Sequence, residues 1–210
     1  MSIVTSSQRT SEWYAMRNGR FTGSQIHRLL GKKGLGLTGE TYAFENAVEI
    51  VFGKDQEDTL ETWDMKRGNM LEPLAFKLFK EMKAMDFLEV EECSFFPIGD
   101  NAGASPDGLV GKDAVLEIKS PRANKFFKIV SLGKDAIDDE YMAQMQMEML
   151  CTNSVKCYFF NYIIFNSVPM WHEIVVERNE GMIEIIKNRI EEATEIRDEF
   201  VISLNKNKQF

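Results

Sequence analysis

The sequence predicts an α/β (α+β) fold in which a central mixed β-sheet is flanked by helices. Two features predict it. Apolar residues recur at helical spacing in the first 85 residues and again at the end, whereas the middle is dominated by alternating and β-branched or aromatic runs. Helices first, a sheet in the middle and a helix last bury their apolar faces as packed layers. At 210 residues, with 44% apolar and 28% charged residues, the chain has an ordinary globular balance and can bury a sizeable core. Neither an internal repeat nor a low-complexity linker interrupts it, so residues 1–210 read as a single domain.

Taken in order, Ser11 and Ser24 are candidate helix caps. A helix over Ser24–Leu30 stops at Gly31 and enters the loop GKKGLGLTG, whose four glycines, with Lys32 and Lys33, let backbone approach a partner closely. From Glu40 to Phe52, Ala43, Ala47, Val48 and Val51 share a helical face, and Gly53 ends the run. A second helix over Met70–Met85 sets Leu71, Leu74, Leu78 and Met82 on one side. The period then changes: FLEVEECSFF and VLEIK alternate, and SVKCYFFNYIIF and WHEIVVE are rich in strand formers. A helix over Asp138–Cys151 and a charged amphipathic helix over Gly181–Phe200 complete the set.

Composition also excludes functions. No apolar run reaches the roughly 18 residues of a membrane span. The opening MSIVTSSQRTSEW lacks the basic and apolar regions of a signal peptide, so a cytoplasmic location is expected, that of a host cell if the chain is phage-encoded. Three cysteines without a CxxC pair and two histidines, His27 and His172, cannot build a zinc or iron–sulfur cluster. The cysteines read as free thiols, and both histidines as ordinary polar residues of a helix and a strand. Any metal ligands are then carboxylates and carbonyls, which favours Mg2+ or Mn2+. A net charge of −8 argues against a broadly basic DNA-coating protein but leaves room for a local basic groove. No GK[ST] phosphate loop is present, so no ATP-driven motor is expected.

The stretch with most chemistry is ASPDGLVGKDAVLEIKSP, Ala104 to Pro121. Along a strand, Glu117 and Lys119 point to one face while Leu116 and Ile118 point to the other, into a core. Asp107 sits at a Pro-Asp-Gly turn, where a hairpin-like return brings it beside Glu117. Two carboxylates and an ammonium in one small space suit metal-assisted phosphodiester hydrolysis. SPDG is also a good β-turn on its own, and E-x-K can be a solvated, charge-paired edge strand, so these residues alone leave both readings open.

The rest of the chain favours the first. Asp107, then nine residues, then Glu117-x-Lys119 resembles the PD-(D/E)xK nucleases. More narrowly, the chain resembles the phage lambda exonuclease and YqaJ-like viral recombinase family, through ordered motifs from Trp13 to the final helix. These are Trp13, Arg17, Gly19, Thr22 and Ser24 (W-x3-R-x-G-x2-T-x-S); Gly68, Glu72 and Ala75 (G-x3-E-x2-A); SPDGL; LEIKSP; EYMAQMQMEM; and VVERNE.

The resemblance implies a restriction-endonuclease-like core and a set of roles. Asp107, Glu117, the Ile118 carbonyl and Glu72 would hold two Mg2+ or Mn2+ ions, with Lys119 the catalytic lysine. Glu72 would either touch the second ion or position Lys119. Gln144 and Gln146 lie about 200° apart around a helix. Only one can face the metals, and Gln144, on the side of Glu148, matches better, while Met142, Met145 and Met149 form a core stripe. Arg17, Ser24 and Ser105 would bind a DNA 5′-phosphate, and Lys32, Lys33, Arg122, Lys125 and Lys128 would contact phosphates along the duplex. Trp63 and Met65 would supply an apolar wedge that parts the strands.

The activity implied is 5′→3′ digestion of one strand of duplex DNA, leaving 3′ overhangs for recombination by single-strand annealing. The implied partners are double-stranded DNA ends, a single-strand annealing protein and two further copies of the chain in a ring trimer. The alternatives are a structure- or sequence-specific endonuclease on the same core, and a non-catalytic DNA-end-binding protein.

Overall fold

A five-stranded mixed sheet runs through the centre of the protein. The computed structural model describes residues 8–53 and 62–208. The large sheet has the order β2 (Val90–Glu91), β5 (Gly108–Val110), β6 (Ala114–Lys119), β7 (Lys156–Phe165), β8 (Val168–Glu177). A second sheet joins β1 (Phe21–Thr22), β4 (Ala102–Ala104) and β3 (Phe96–Ile98) in that order. In the large sheet only β6 and β7 run parallel. A parallel pair needs a crossover, supplied here by α4 (Ala123–Leu132), a 3-10 turn (Gly133–Ala136) and α5 (Asp139–Thr152).

The alternation read in VLEIK is observed. On one face of the sheet, Leu116, Ile118, Tyr158 and Phe160 pack against Leu71, Ala75 and Phe79 of α3 (Trp63–Met85). The Phe79 and Phe160 rings meet edge to face at 5.2 Å. On the other face, Val115, Cys157, Phe159 and Ile174 pack against Ile129 of α4 and Met145 and Met149 of α5. A third cluster joins the 3-10 helix Gly23–Leu29, α2 (Gly36–Phe52), α5 and the long α6 (Glu180–Asn207) around Phe21, Tyr42, Met147 and Ile186. Because α5 serves two cores, it is buried without a break from Ala143 to Met149. Gln144, Gln146 and Glu148 lie inside that run and must find polar partners there.

Several expectations are corrected. β6 is the third of five strands and buried from Ala114 to Ile118, so it is no solvated edge strand. Ser105-Pro106-Asp107 forms no β-turn; the chain reverses at Gly111–Asp113, and residues 105–107 carry it from the small sheet into the large one. FLEVEECSFF is divided in the same way: only Val90–Glu91 pairs in the large sheet, while Phe96 begins β3 in the small one. Thr10, not Ser11, caps α1 (Ser11–Arg17), accepting from the Trp13 N–H at 3.2 Å. Ser24 lies within its 3-10 helix, after Thr22.

α3 begins seven residues earlier than Met70, at Trp63, with Thr62 accepting from Met65 N. Its buried stripe is Leu71, Ala75, Phe79 and Lys83, rotated from the expected one, and Leu74 is exposed. The rotation is possible because Lys83 is satisfied when buried. Its Nζ donates to Glu173 at 2.9 Å and lies 4.5 Å from the centre of the Tyr158 ring.

Candidate active site

The β5–β6 hairpin assembles the cluster. Gly108 pairs with Leu116, which sets Asp107 opposite Glu117, and the Asp107 N–H donates to the Leu116 carbonyl at 2.9 Å. Asp107 Oδ2 in turn accepts from the Ile118 N–H at 2.6 Å, so the carboxylate is held by the strand it faces. On β6, Lys119 Nζ lies 2.5 Å from Glu117 Oε1. α5 closes the group: Gln144 Nε2 donates to Glu117 Oε1 at 2.8 Å and to Glu148 Oε1 at 2.9 Å, and Gln144 Oε1 accepts from Lys119 at 3.2 Å. Gln146 points elsewhere. It donates to the Glu177 carbonyl and accepts from the Asn179 N–H, tying α5 to the end of β8.

The electrostatics are those of crowded, dry carboxylates. Burial, then the charges of Glu117 and Glu72, pushes the Asp107 carboxyl well above the usual carboxylate range, against the pull of Lys119 and the Ile118 N–H. Burial and Glu117 raise Glu148 in the same way. For Lys119, burial alone would lower the pKa, but the charges of Glu117 and Asp107 outweigh it and raise it. The ammonium is held charged by its neighbours.

Among the described residues, no three carboxylate, thiol or imidazole groups form a ready-made metal cage. The donors nevertheless fit a hard divalent cation. Glu117 Oε2 and Glu148 Oε2 are buried carboxylate oxygens with no hydrogen-bond partner among the described residues. An uncompensated buried anion is costly, and a cation bound by oxygen removes that cost.

Glu72 faces the cluster across a cleft of about 780 Å3 lined by Arg9, Glu72, Lys77, Lys80, Cys93 and Asp107, among others. It is near enough to raise Asp107, but it pairs with Arg9, at 2.7 Å, and not with Lys119. A second group adjoins the first through residues 105–107. The Arg17 guanidinium lies 4.1 Å from the centre of the Trp13 ring, and Trp13 Nε1 donates to Ser105 Oγ at 2.9 Å. Burial lowers the Arg17 pKa, and among the described residues no carboxylate forms an ion pair with it. Gly19, just beyond, turns the chain with φ +66°, and a Cβ there would come within 2.3 Å of Ile50. Gly23 abuts Ala104, which sets the exposed Ser24 beside the strand end that leads to Ser105.

The match to known sequences decides the family: residues 12–154 fit the YqaJ-like viral recombinase domain. The chain belongs to that family. No curated protein sequence matches it. Among solved structures, the alkaline exonuclease LHK-Exo of Laribacter hongkongensis is 27% identical, with TM-score 0.81, over 94% of this chain and 97% of that one. The same enzyme in complex with dAMP gives 28% identity and TM-score 0.80 over the same shares. A phage-related exonuclease of Haemophilus somnus 129PT shares the fold, with 16% identity and TM-score 0.72 over 88% of this chain and 96% of that one. The YqaJ-like chain therefore has the restriction-endonuclease-like fold of these exonucleases, and family and neighbours support a nuclease of phage-type recombination.

The remaining candidates divide by environment. Lys32, Lys33 and Lys128 are exposed. Arg122 pairs with Asp64 at 2.9 Å and Lys125 with Asp138, so neither is a free cation. Trp63 (78%) and Met65 (54%) are strongly exposed at the start of α3 rather than packed. His27 and His172 are half-buried, on the 3-10 helix and on β8, and the three cysteines are free thiols.

Two residues of the site escaped the sequence reading. Glu148 was legible only as a neighbour of Gln144, one helical turn away, and its burial against Glu117 needed the packing of α5. Arg9 carried no signal, because its partner Glu72 is 63 positions distant.

Proposed function

We propose that the protein is a metal-dependent deoxyribonuclease that digests one strand of linear duplex DNA in the 5′→3′ direction, leaving 3′ overhangs for single-strand annealing. One observation carries this reading. Three residues, Ser105-Pro106-Asp107, join the half-buried Arg17 guanidinium, which among the described residues has no carboxylate ion-pair partner, to a cluster of two carboxylates and a lysine. An anion-accepting corner beside a hydrolytic centre is what a nuclease needs to bind the end of the strand that it cuts.

Asp107, Glu117, the Ile118 carbonyl and Glu72 would hold Mg2+ or Mn2+, two ions in all. When bound, these would polarise the phosphoryl group and lower the pKa of the attacking water. Lys119, kept charged by its neighbours, orients that water or neutralises charge building on the phosphate. Gln144 bridges Lys119, Glu117 and Glu148 and so fixes the lysine's height above the strand. Arg17 offers a planar fork to the terminal 5′-phosphate, stacked in place on Trp13, with Ser105 and Ser24 alongside. The exposed Lys32, Lys33 and Lys128 track the duplex backbone, and Trp63 and Met65 form the wedge. The proposal extends, by resemblance to the family alone, to an annealing-protein partner, a ring trimer and a cytoplasmic setting. Among the described residues, no helix is long and apolar enough to cross a membrane.

The deciding experiment is digestion of linear duplex labelled separately at each 5′ and 3′ end, with and without Mg2+. The reading expects mononucleotides from the 5′ label first, and none from a covalently closed circle. Cutting of the circle would instead mark an endonuclease, and no cutting of any substrate a DNA-end-binding protein.

A further inference from the structure

Asn161 stands in the middle of β7 and is completely buried. Neither atom of its side-chain amide hydrogen-bonds any described residue. A buried polar group left without a partner destabilises the fold, and in Asn161 both the amide nitrogen and the amide oxygen are so placed. An apolar residue of the same volume would escape that cost.

Register says what the amide adjoins. Asn161 pairs with Lys119 on the parallel neighbour β6 and with His172 on the antiparallel neighbour β8. Cross-strand partners project from the same face of a sheet, with strand axes about 4.8 Å apart. Asn161 is therefore beside Lys119, on the face that carries Glu117 and looks toward α5. Two positions back, Phe159 packs on Tyr141 of α5 with ring centres 5.9 Å apart, and the Lys119 ammonium lies 5.0 Å from the centre of that Tyr141 ring. The amide thus borders the pocket through which the lysine side chain passes.

Lys119 has three N–H groups to place and, among the described residues, two oxygen partners within hydrogen-bond reach, Glu117 Oε1 and Gln144 Oε1. Glu117 is also a proposed metal ligand, and an oxygen committed to a cation is a poorer acceptor for an ammonium. We propose that Asn161 is a positioning residue for Lys119. Its Oδ1 takes an N–H of the lysine when Glu117 turns to a divalent ion, and its Nδ2 faces the water that fills the remaining space. The inference rests on the proposed nuclease function for its catalytic consequence, but the contact itself does not.

The test uses the full chain. The isosteric Asn161→Leu variant should melt at the same temperature as wild type or higher, and bind duplex ends equally well. Its kcat on linear duplex should fall about 10- to 100-fold, as for other residues that orient a catalytic group, with KM unchanged. The second measurement needs no turnover. In 15N-asparagine-labelled protein, the Asn161 amide pair is assigned by its loss in the Leu variant. It should shift when Mg2+ is added, and that shift should vanish in Lys119→Met. If Asn161→Leu does not fold, Asn161→Ala supplies the assignment.

Unchanged kcat in a folded Leu variant, or an amide shift that persists in Lys119→Met, overturns the proposal and leaves Asn161 as a structural water site only. A wild-type protein that cuts no DNA removes the function but not the contact, because the amide shift is read independently of cleavage.

Discussion

Trp13 Nε1 donates to Ser105 Oγ at 2.9 Å, and the same indole lies beneath the Arg17 guanidinium. One side chain thus fixes the proposed phosphate corner to the segment that delivers Asp107. Trp13→Phe keeps a ring under Arg17 but removes the donor. The loss of one hydrogen bond is expected to cost about 1 kcal/mol of stability, measured by urea unfolding. Any preference for 5′-phosphorylated over 5′-hydroxyl ends should weaken severalfold. An unaltered preference would separate Trp13 from end recognition.

Arg17→Ala tests polarity directly. A terminal phosphate carries more charge than an internal diester, and a charge-assisted hydrogen bond contributes roughly 1.5–3 kcal/mol. Wild type should prefer phosphorylated ends, and Arg17→Ala should lose most of that preference while still binding metal. Equal wild-type rates on both end types would remove the case for the pocket.

At the proposed metal site, Asp107→Ala and Glu117→Ala should abolish cleavage, and Lys119→Ala should abolish it with DNA binding retained. Near-normal single-turnover rates in Lys119→Ala would refute the lysine assignment. Glu148→Gln replaces a carboxyl whose charged form burial and Glu117 oppose, and keeps the packing volume. It should raise the melting temperature of the protein in EDTA, and a lowered value would mean that the carboxylate is compensated there.

Cys93 offers a pH test. Burial, then the charges of Asp107 and Glu148, pushes its thiol pKa far above that of a free cysteine, and its Sγ–H donates to the Pro106 carbonyl at 3.2 Å. A raised thiol pKa means less thiolate at any given pH. Alkylation of Cys93 at pH 8 should therefore be many times slower in the native protein than in urea. Equal rates, read by mass spectrometry of the Cys93 peptide, would contradict that environment.

The Lys83–Glu173 pair, with Lys83 buried and Glu173 half-buried, predicts a reversal on double substitution. Lys83→Met leaves Glu173 without its partner and should cost stability, by less than the roughly 3–5 kcal/mol of a fully buried pair. Adding Glu173→Leu should recover most of it, as a chemical-denaturation cycle would show. Additive losses would mean that the two side chains do not depend on each other.

What could be read in the sequence was what lies close together along the chain. Strand alternation was enough to face Glu117 and Lys119 together, whereas Asp107 reaches them through the β5–β6 hairpin and not through the turn expected at Pro106-Asp107. Helical angle showed that Gln144 and Gln146 cannot share a destination, the family resemblance chose Gln144, and the two side chains do part, Gln144 to Glu117 and Gln146 to the Glu177 carbonyl. α4 was missed because Phe126, Phe127, Ile129 and Val130 suit a strand as well as a helix, and the crossover geometry decides between them. The rotated face of α3 was hidden for a different reason: a lysine in the buried stripe makes sense only with Glu173, 90 positions away. FLEVEECSFF misled because alternation cannot tell which of two sheets a residue joins.

The family match stops at Ser154, but the architecture does not. β7, the parallel neighbour of the strand that carries Glu117 and Lys119, comes after that point. So does Arg197 of α6, which donates to the Gly19 carbonyl at 3.0 Å and to Asn101 Oδ1 at 2.9 Å, holding two loops of the first half together. A fragment trimmed to residues 12–154 would keep every proposed metal ligand yet leave β6 as a bare, sticky margin of six residues, open to pairing with any other extended chain. For this fold, the stretch that matches the family and the stretch that covers its own sheet edge are different lengths of polypeptide.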